Sequence, residues 1–350
     1  MLCRTMGMGK SALSLLVLVI SGPLSAAPAE TIDQLYEKAK LEKALVFYTG
    51  GGPAAAKAAA DAFEKRFPGI AVTAKGDFSN VLDSEIDRQL KDNKVTADFL
   101  QLQTVQDFPR WDKAGALLHF KPDGFDQVLP AMKDKDGGWV AVTAIPMFYG
   151  YNPEKVQETD VPKSALDFLK LLFRGNIVTV YPTDDDATLY NFDLIVQKYG
   201  WNYMPKYMAN QPYFIQGHRD VAARVRSGAD FVSFDMSNSS RIGGGNLKIV
   251  MSEKDKSPVF FTAGGILKDA PHPNAAKLFL TWILSKEQQG RVPAFYSPRA
   301  DTPPPEGLPP LTSPRFANGY RDFLGDGSRL PALRKRFEAF TGPVTNKATQ

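Results

Sequence analysis

The sequence predicts an α/β protein of two lobes, each a mainly parallel sheet flanked by helices, with the two lobes joined by crossing strands. Three observations predict it. Strands and helices alternate from residue 44 onward, one long extended segment runs from Trp139 to Tyr151, and 350 residues at 43% hydrophobic exceed what a single core organises.

Thr31 to Lys40 reads as the first helix, and Ala44 to Thr49 (ALVFYT) as a buried strand stopped by Gly50-Gly51-Gly52-Pro53. A helix to Phe67 follows, with Pro53 in its first turn and Ala55, Ala56, Ala59, Ala62, Phe63 and Phe67 on one face. Pro68-Gly69 ends it before a strand at Ile70 to Ala74. Ser79 and Asn80 suit a helix cap, and the helix to about Lys91 leads into a strand at Ala97 to Gln103. Beyond the long segment come a helix at Ser164 to Phe173, a strand at Ile177 to Tyr181 and a helix at Thr188 to Tyr199. An aromatic stretch (Trp201 to Phe214), a helix at Arg219 to Ser227 and a strand at Asp230 to Phe234 continue that lobe. Pro258 to Ala263 is strand-like again, a helix runs from Ala270 to Ser285, and a Pro-rich span precedes a C-terminal helix at Leu330 to Phe340. The resulting division is lobe one over 27–142, lobe two over 143–257, a return to lobe one over 258–292, and a segment 293–350 packing on lobe two or the hinge.

Residues 1–26 read as a secretory leader: Arg4 and Lys10, the apolar run ALSLLVLVI, then Gly22-Pro23-Leu24-Ser25-Ala26 with cleavage after Ala26. An apolar run of about 10 residues is half of the ~20 a bilayer requires. Removing the leader takes two bases and no acid, so the formal charge falls from +4 to +2. Without a dense basic run, this points away from nucleic acid. The one cysteine, Cys3, leaves with the leader, which excludes cysteine nucleophiles, thiolate metal sites and disulfides from the mature chain.

Several polar clusters could hold a ligand. The strand, Gly-rich turn and helix at 45–67 suggest backbone N–H groups of Gly50 and Gly51, with Thr49, for an acidic group, although no Gly-Lys-Ser/Thr of a phosphate loop follows. Ser79, Asn80 and Gln103 supply neutral partners. Asp184-Asp185-Asp186 precede a helix, where simple capping competes with a carboxylate facing a cleft, and Asp185 is the best candidate, with Thr188 one turn on. Asp235 and Ser237 follow a strand, at the edge where open sheets bind ligands. Tyr48 and Tyr149 would form aromatic walls. His218, between Gly217 and Arg219, reads as a cap or surface residue more than as a donor. There is no Gly-x-Ser-x-Gly, no His-Glu-x-x-His, and His119, His218 and His272 are scattered, so neither an enzyme, a metal site nor a cofactor is expected.

Leu45-Val-Phe-Tyr-Thr, Ala62-Phe-Glu-Lys-Arg-Phe-Pro-Gly-Ile, Ala97-Asp98, Tyr151-Asn-Pro153 and Val225-Arg-Ser-Gly-Ala-Asp230 carry a resemblance, strongest in Gly265 to Leu280 and Leu284 to Gln289. Together they resemble the periplasmic solute-binding proteins of ABC importers, in the two-lobed class typified by ferric-ion-binding proteins. The resemblance implies a ligand enclosed between closing lobes, an ABC permease as partner, a periplasmic location and a monomer, with His272 a turn residue. Where the iron-binding members carry histidine, glutamate and adjacent tyrosines, this chain has Gly51-Gly52, Gln103 and Asp235-Met236, which leaves few of the hard anionic oxygens ferric iron prefers. The expected ligand is a small polar organic solute, zwitterionic or amine-bearing with an acidic group. Ferric iron, a sugar phosphate, a secreted enzyme and a sensor subunit remain the rivals.

Overall fold

The computed structural model describes residues 1–2, 30–237, 240, 244–291 and 295–347, so the leader read over 1–26 lies outside the described residues apart from its first two, as does Asn238. Helix α1 (Ile32–Glu42) opens on a capping box of Thr31 and Gln34, which satisfies two of its first-turn donors. Strand β1 (Ala44–Thr49), helix α2 (Gly52–Arg66) and strand β2 (Ala71–Gly76) form the first strand-helix-strand unit, followed by α3 (Ser79–Lys91) and β3 (Phe99–Leu102). The face of α2 is nearly the expected one: Ala56, Phe63 and Phe67 are buried and Ala59 and Ala62 partly so, with Ala60 joining them and Ala55 exposed.

Helix α4 (Asp107–Lys113) and β4 (Leu117–Leu118) lead to β5 (Val140–Tyr151), the long extended segment. The helix expected at 164–173 is instead two 3-10 turns, Ala165–Leu169 and Leu171–Phe173, broken by extended Lys170. These turns bury Ala165, Phe168 and Phe173 and leave Leu166, Leu171 and Leu172 outside. Then come β6 (Val178–Val180), α5 (Asp186–Tyr199), α6 (Tyr203–Ala209) within the aromatic stretch, β7 (Tyr213–Ile215), α7 (His218–Ser227), β8 (Val232–Ser237) and β9 (Lys248–Val250). The chain returns in β10 (Ser257–Leu267), α8 (Pro273–Ile283) and α9 (Lys286–Gly290), and ends in β11 (Phe316–Ala317), α10 (Tyr320–Gly325) and α11 (Leu330–Thr341).

Among the described residues the main sheet has the order β2-β1-β3-β10-β5-β8, with β4 and β11 on β10 and β9 on β5, beside a separate pair β6-β7. The parallel order that strand-helix alternation predicts runs through β2-β1-β3 and β6-β7. The two long strands enter antiparallel: β10 pairs with β3 from Ala263 to Ile266 and with β5 from Val259 to Gly264, while β5 pairs with β8. Register shifts at Thr262/Ala263 and Phe148/Gly150 let this sheet curl.

Two aromatic nuclei hold the ends apart. Phe47, Phe63, Phe99, Phe279 and Trp282 pack around β1 and α8, with Phe47 and Phe279 ring centroids 4.8 Å apart. Phe168, Phe192, Tyr207 and Phe234 pack between α5, α6 and β8, with Phe192 and Phe234 at 4.9 Å. Fully burying each such ring stabilises by roughly 1.5–3 kcal/mol. Asp98, fully buried just before β3, accepts from Val46 N (2.6 Å), His272 N (2.7 Å) and His272 Nδ1 (2.9 Å), tying β1 to the start of α8. The C-terminal segment packs on α5: Gly319 N donates to Tyr190 Oη (3.1 Å), Arg329 pairs with Asp193 and Arg334 with Asp186.

Candidate functional site

Strand ends from both halves of the sheet converge on one polar cluster. After β1 the chain turns at Gly50, where an added Cβ would stand 2.1 Å from Ser79 Oγ. That hydroxyl accepts from Gln103 N (2.9 Å), so Ser79 fastens the turn after β3 to the start of α3, against Gly50. Opposite, β6 leads through Thr183 to Asp185, the N-cap of α5, whose Oδ1 accepts from Thr188 N (2.8 Å). Side-chain hydrogen bonds join the facing sides: Gln103 Nε2 donates to Asp185 Oδ2 (3.2 Å), and Arg219 Nη2 of α7 donates to Gly51 O (3.3 Å).

A charged triad lies beneath them. His218, the first residue of α7, places Nε2 3.4 Å from Asp185 Oδ1 and Nδ1 3.8 Å from Asp235 Oδ2. Neither contact meets hydrogen-bond geometry, and both buried ring nitrogens lack a partner. Asp235 is fully buried in β8; its Oδ2 accepts from Thr188 Oγ1 (2.8 Å) and Val180 N (3.2 Å), and its Oδ1 has no donor. Phe260 of β10 stacks on the imidazole at 6.2 Å and 16°. Burial alone would lower the His218 pKa, but the Asp235 and Asp185 carboxylates outweigh it and raise the group to about 9. Burial works against ionised Asp185 too, yet the His218 charge and the hydrogen bonds it receives hold it well below the usual carboxylate range. At Asp235 burial wins and the pKa is raised, His218 opposing and Asp185 adding to the rise.

The neighbouring carboxylates are engaged elsewhere. Gln216 Nε2 donates to Asp184 Oδ2 (2.8 Å), and Arg334 pairs with Asp186 while donating to Thr183 O (2.9 Å). Tyr320 Oη donates to Gln103 O (3.4 Å). Among the described residues no group of three or more His, Cys, Asp or Glu side chains is arranged to hold a metal ion.

Residues 49–290 match the family described as bacterial extracellular solute-binding protein. The chain belongs to that family. The "Fe(3+)-binding periplasmic protein" of Serratia marcescens is 23% identical over 266 residues, 72% of this chain and 77% of its own length. Iron-bound HitA from Pseudomonas aeruginosa superposes with a TM-score of 0.69 at 22% identity, covering 84% of this chain and 99% of its own. AfuA from Actinobacillus pleuropneumoniae, with fructose-6-phosphate bound, gives 0.69 at 19%, covering 85% and 98%. The fold is therefore the two-lobed one of periplasmic binding proteins. The family consists of solute receptors that serve ABC importers, not of enzymes.

In this solute-binding protein several expected roles change. The amides of Gly50 and Gly51 are occupied, the first by Gln101 O (2.9 Å) as β1 continues its pairing with β3, the second by Thr49 Oγ1 (3.3 Å), so they are not free for an anion. Ser79 and Asn80 do not cap α3: Phe78 is the N-cap, and Asn80 is exposed with its carbonyl accepting from Ser84 Oγ (3.0 Å). Tyr48 turns onto α3, where its hydroxyl donates to Glu85 Oε1 (3.0 Å). Tyr149 Oη donates to Asp255 Oδ2 (2.7 Å), beside the C-terminal end of α5 and away from its Asp185 end. Asp235 and Ser237 lie inside β8, since Met236 and Ser237 pair with Phe148 and Met147 of β5; Ser237 Oγ lies 3.4 Å from Ser240 Oγ. His218, read as a cap or surface residue, stands at the centre instead, between Asp185 and Asp235. The cue in the sequence was Gly217, whose φ of +88° starts α7 abruptly against the end of β7.

Gln103→Ala removes one of the hydrogen bonds between the facing sides. Affinity for the bound solute is expected to fall about tenfold, roughly the ~1.4 kcal/mol of one hydrogen bond to a charged group, with the melting temperature of the unliganded protein unchanged. Calorimetric titration beside a thermal melt checks both halves; unchanged affinity removes Gln103 from the closing contacts.

Proposed function

We propose that this solute-binding protein captures a small polar organic molecule bearing both an amine and an acidic group, encloses it between its lobes and passes it to an ABC permease. One observation carries the reading. Asp235 Oδ1 is a buried acceptor without a donor, and the His218 ring nitrogens, though charge-paired with Asp185 and Asp235 at 3.4 and 3.8 Å, make no hydrogen bond. Buried polar groups are nearly always hydrogen-bonded, so an acceptor and donors left without hydrogen bonds in one cluster fit a ligand that completes both. With His218 protonated at neutral pH, an ammonium or hydroxyl of the solute meets Asp235 and its acidic group meets the imidazolium. Gln103 and Asp185 complete the enclosure, and Phe260 offers an apolar face. In this reading the lobes are 27–142 with 258–292, and 143–257. Residues 1–26 are removed on export to the periplasm, and the receptor acts as a monomer.

The test is a thermal-shift panel on residues 27–350 after ligand is stripped by unfolding and refolding. Amino acids, aminophosphonates, amines, sugar phosphates and ferric citrate are compared. A ligand at 100 times its Kd adds about 2.7 kcal/mol, a rise of several degrees. The zwitterionic or amine-bearing compounds are expected to give that rise. A rise with ferric citrate or sugar phosphates alone overturns the ligand class while leaving the receptor function.

A further inference from the structure

We propose a second ligand site beside the crossing strands, taking a small organic anion with an apolar body. Helix α5 has 14 residues and is therefore about 20 Å long. The polar cluster lies at its N-terminal end; at its other end a separate cavity of about 390 Å³ opens between α5, β5, β8 and the start of β10. That volume suits a small organic molecule.

The lining has two parts of different chemistry. Phe148 of β5, Phe234 of β8, Leu194 and Ile195 of α5 and Pro258 of β10 form an apolar floor. Lys198, Lys254 and Lys256 stand on the rim, against one carboxylate, Asp255. Asp255 is already saturated: it accepts from Tyr149 Oη (2.7 Å), Tyr199 Oη (2.6 Å), Lys198 Nζ (2.6 Å) and Ala165 N (2.6 Å). Lys254 and Lys256 are exposed, and among the described residues neither has an ion-pair partner. Their long stems let the ammonium groups swing over the cavity mouth. Two unneutralised cations above an apolar floor complement a carboxylate carried on a hydrocarbon or aromatic body. An organic cation meets the wrong charge there, and an inorganic anion leaves the floor uncovered.

The experiment is calorimetric titration of the full mature chain with 4-phenylbutyrate and with its uncharged counterpart, 4-phenylbutanol. One molecule of the acid is expected to bind, at least tenfold more tightly than the alcohol. Leu194→Trp, which fills the cavity, abolishes that binding. Lys254→Glu with Lys256→Glu, two exposed positions that leave the core untouched, weakens it at least tenfold. Asp185→Asn leaves it unchanged, because that residue belongs to the other end of α5. Binding that survives Leu194→Trp, that disappears in Asp185→Asn, that ignores the lysine reversal or that fails to appear in the wild type overturns the proposal.

Discussion

Replacing His218 with alanine is expected to cost about 3 kcal/mol of stability at neutral pH, because it leaves buried Asp235 facing partly buried Asp185 without the cation between them. The pH dependence identifies the cause. A histidine whose folded pKa is raised to about 9 contributes stability that is fully present below its unfolded value near 6.5 and is lost as pH rises through 9. The wild type should therefore lose urea midpoint between pH 7 and 9.5, and the variant should lack that loss. At acid pH the variant recovers, since Asp235, its pKa already raised by burial, takes up a proton and the repulsion ends. The gap between the two proteins is thus widest near neutrality and narrows on both sides. A gap that stays constant across pH 5 to 9.5 rules out the charge triad as its source.

Asp98→Ala is the second large effect, expected at about 3–5 kcal/mol. The carboxylate has no solvent exposure and accepts three hydrogen bonds, from Val46 N, His272 N and His272 Nδ1. Its removal strands donors in the core at roughly 1–3 kcal/mol each. Asp98→Asn, which keeps an acceptor oxygen, should lose less. Urea unfolding measures all three proteins, and solute affinity of the folded fraction should not move, since Asp98 touches none of the converging turns. A loss below about 1 kcal/mol in the alanine variant would mean that water replaces the carboxylate.

The strand-helix-strand units were legible because Ala44–Thr49 and the Gly-rich stop after it are local signals, as are the apolar face of α2 and the Pro68-Gly69 break. That one of the carboxylates Asp184 to Asp186 caps α5 was legible for a local reason too, and it is Asp185 that does so. What stayed hidden depends on strands pairing at a distance. The Gly50 amide looks free until β3 lies beside β1 and Gln101 O takes it. Asp235 reads as a loop residue until β5 extends β8 through Ser237 and Thr188 reaches it from α5. A lone histidine before a helix carries no sign of its surroundings, and only the approach of α5 and β8 puts His218 between two carboxylates.

The place of β10 has a consequence for the order in which the molecule can be made. It is the central strand, between β3 and β5, yet it is among the last parts of the sheet to leave the ribosome. A nascent chain that has not yet reached Ser257 has β1, β2 and β3 in hand with the inner edge of β3 unpaired, and β5 paired with β8 and β9 over Met147–Tyr151 but open over Val140–Pro146. Until Leu267 has emerged, neither half can close its ladder, so synthesis runs through just over three quarters of the chain before cooperative folding becomes possible. Late insertion of the middle strand keeps the polypeptide open for most of its birth.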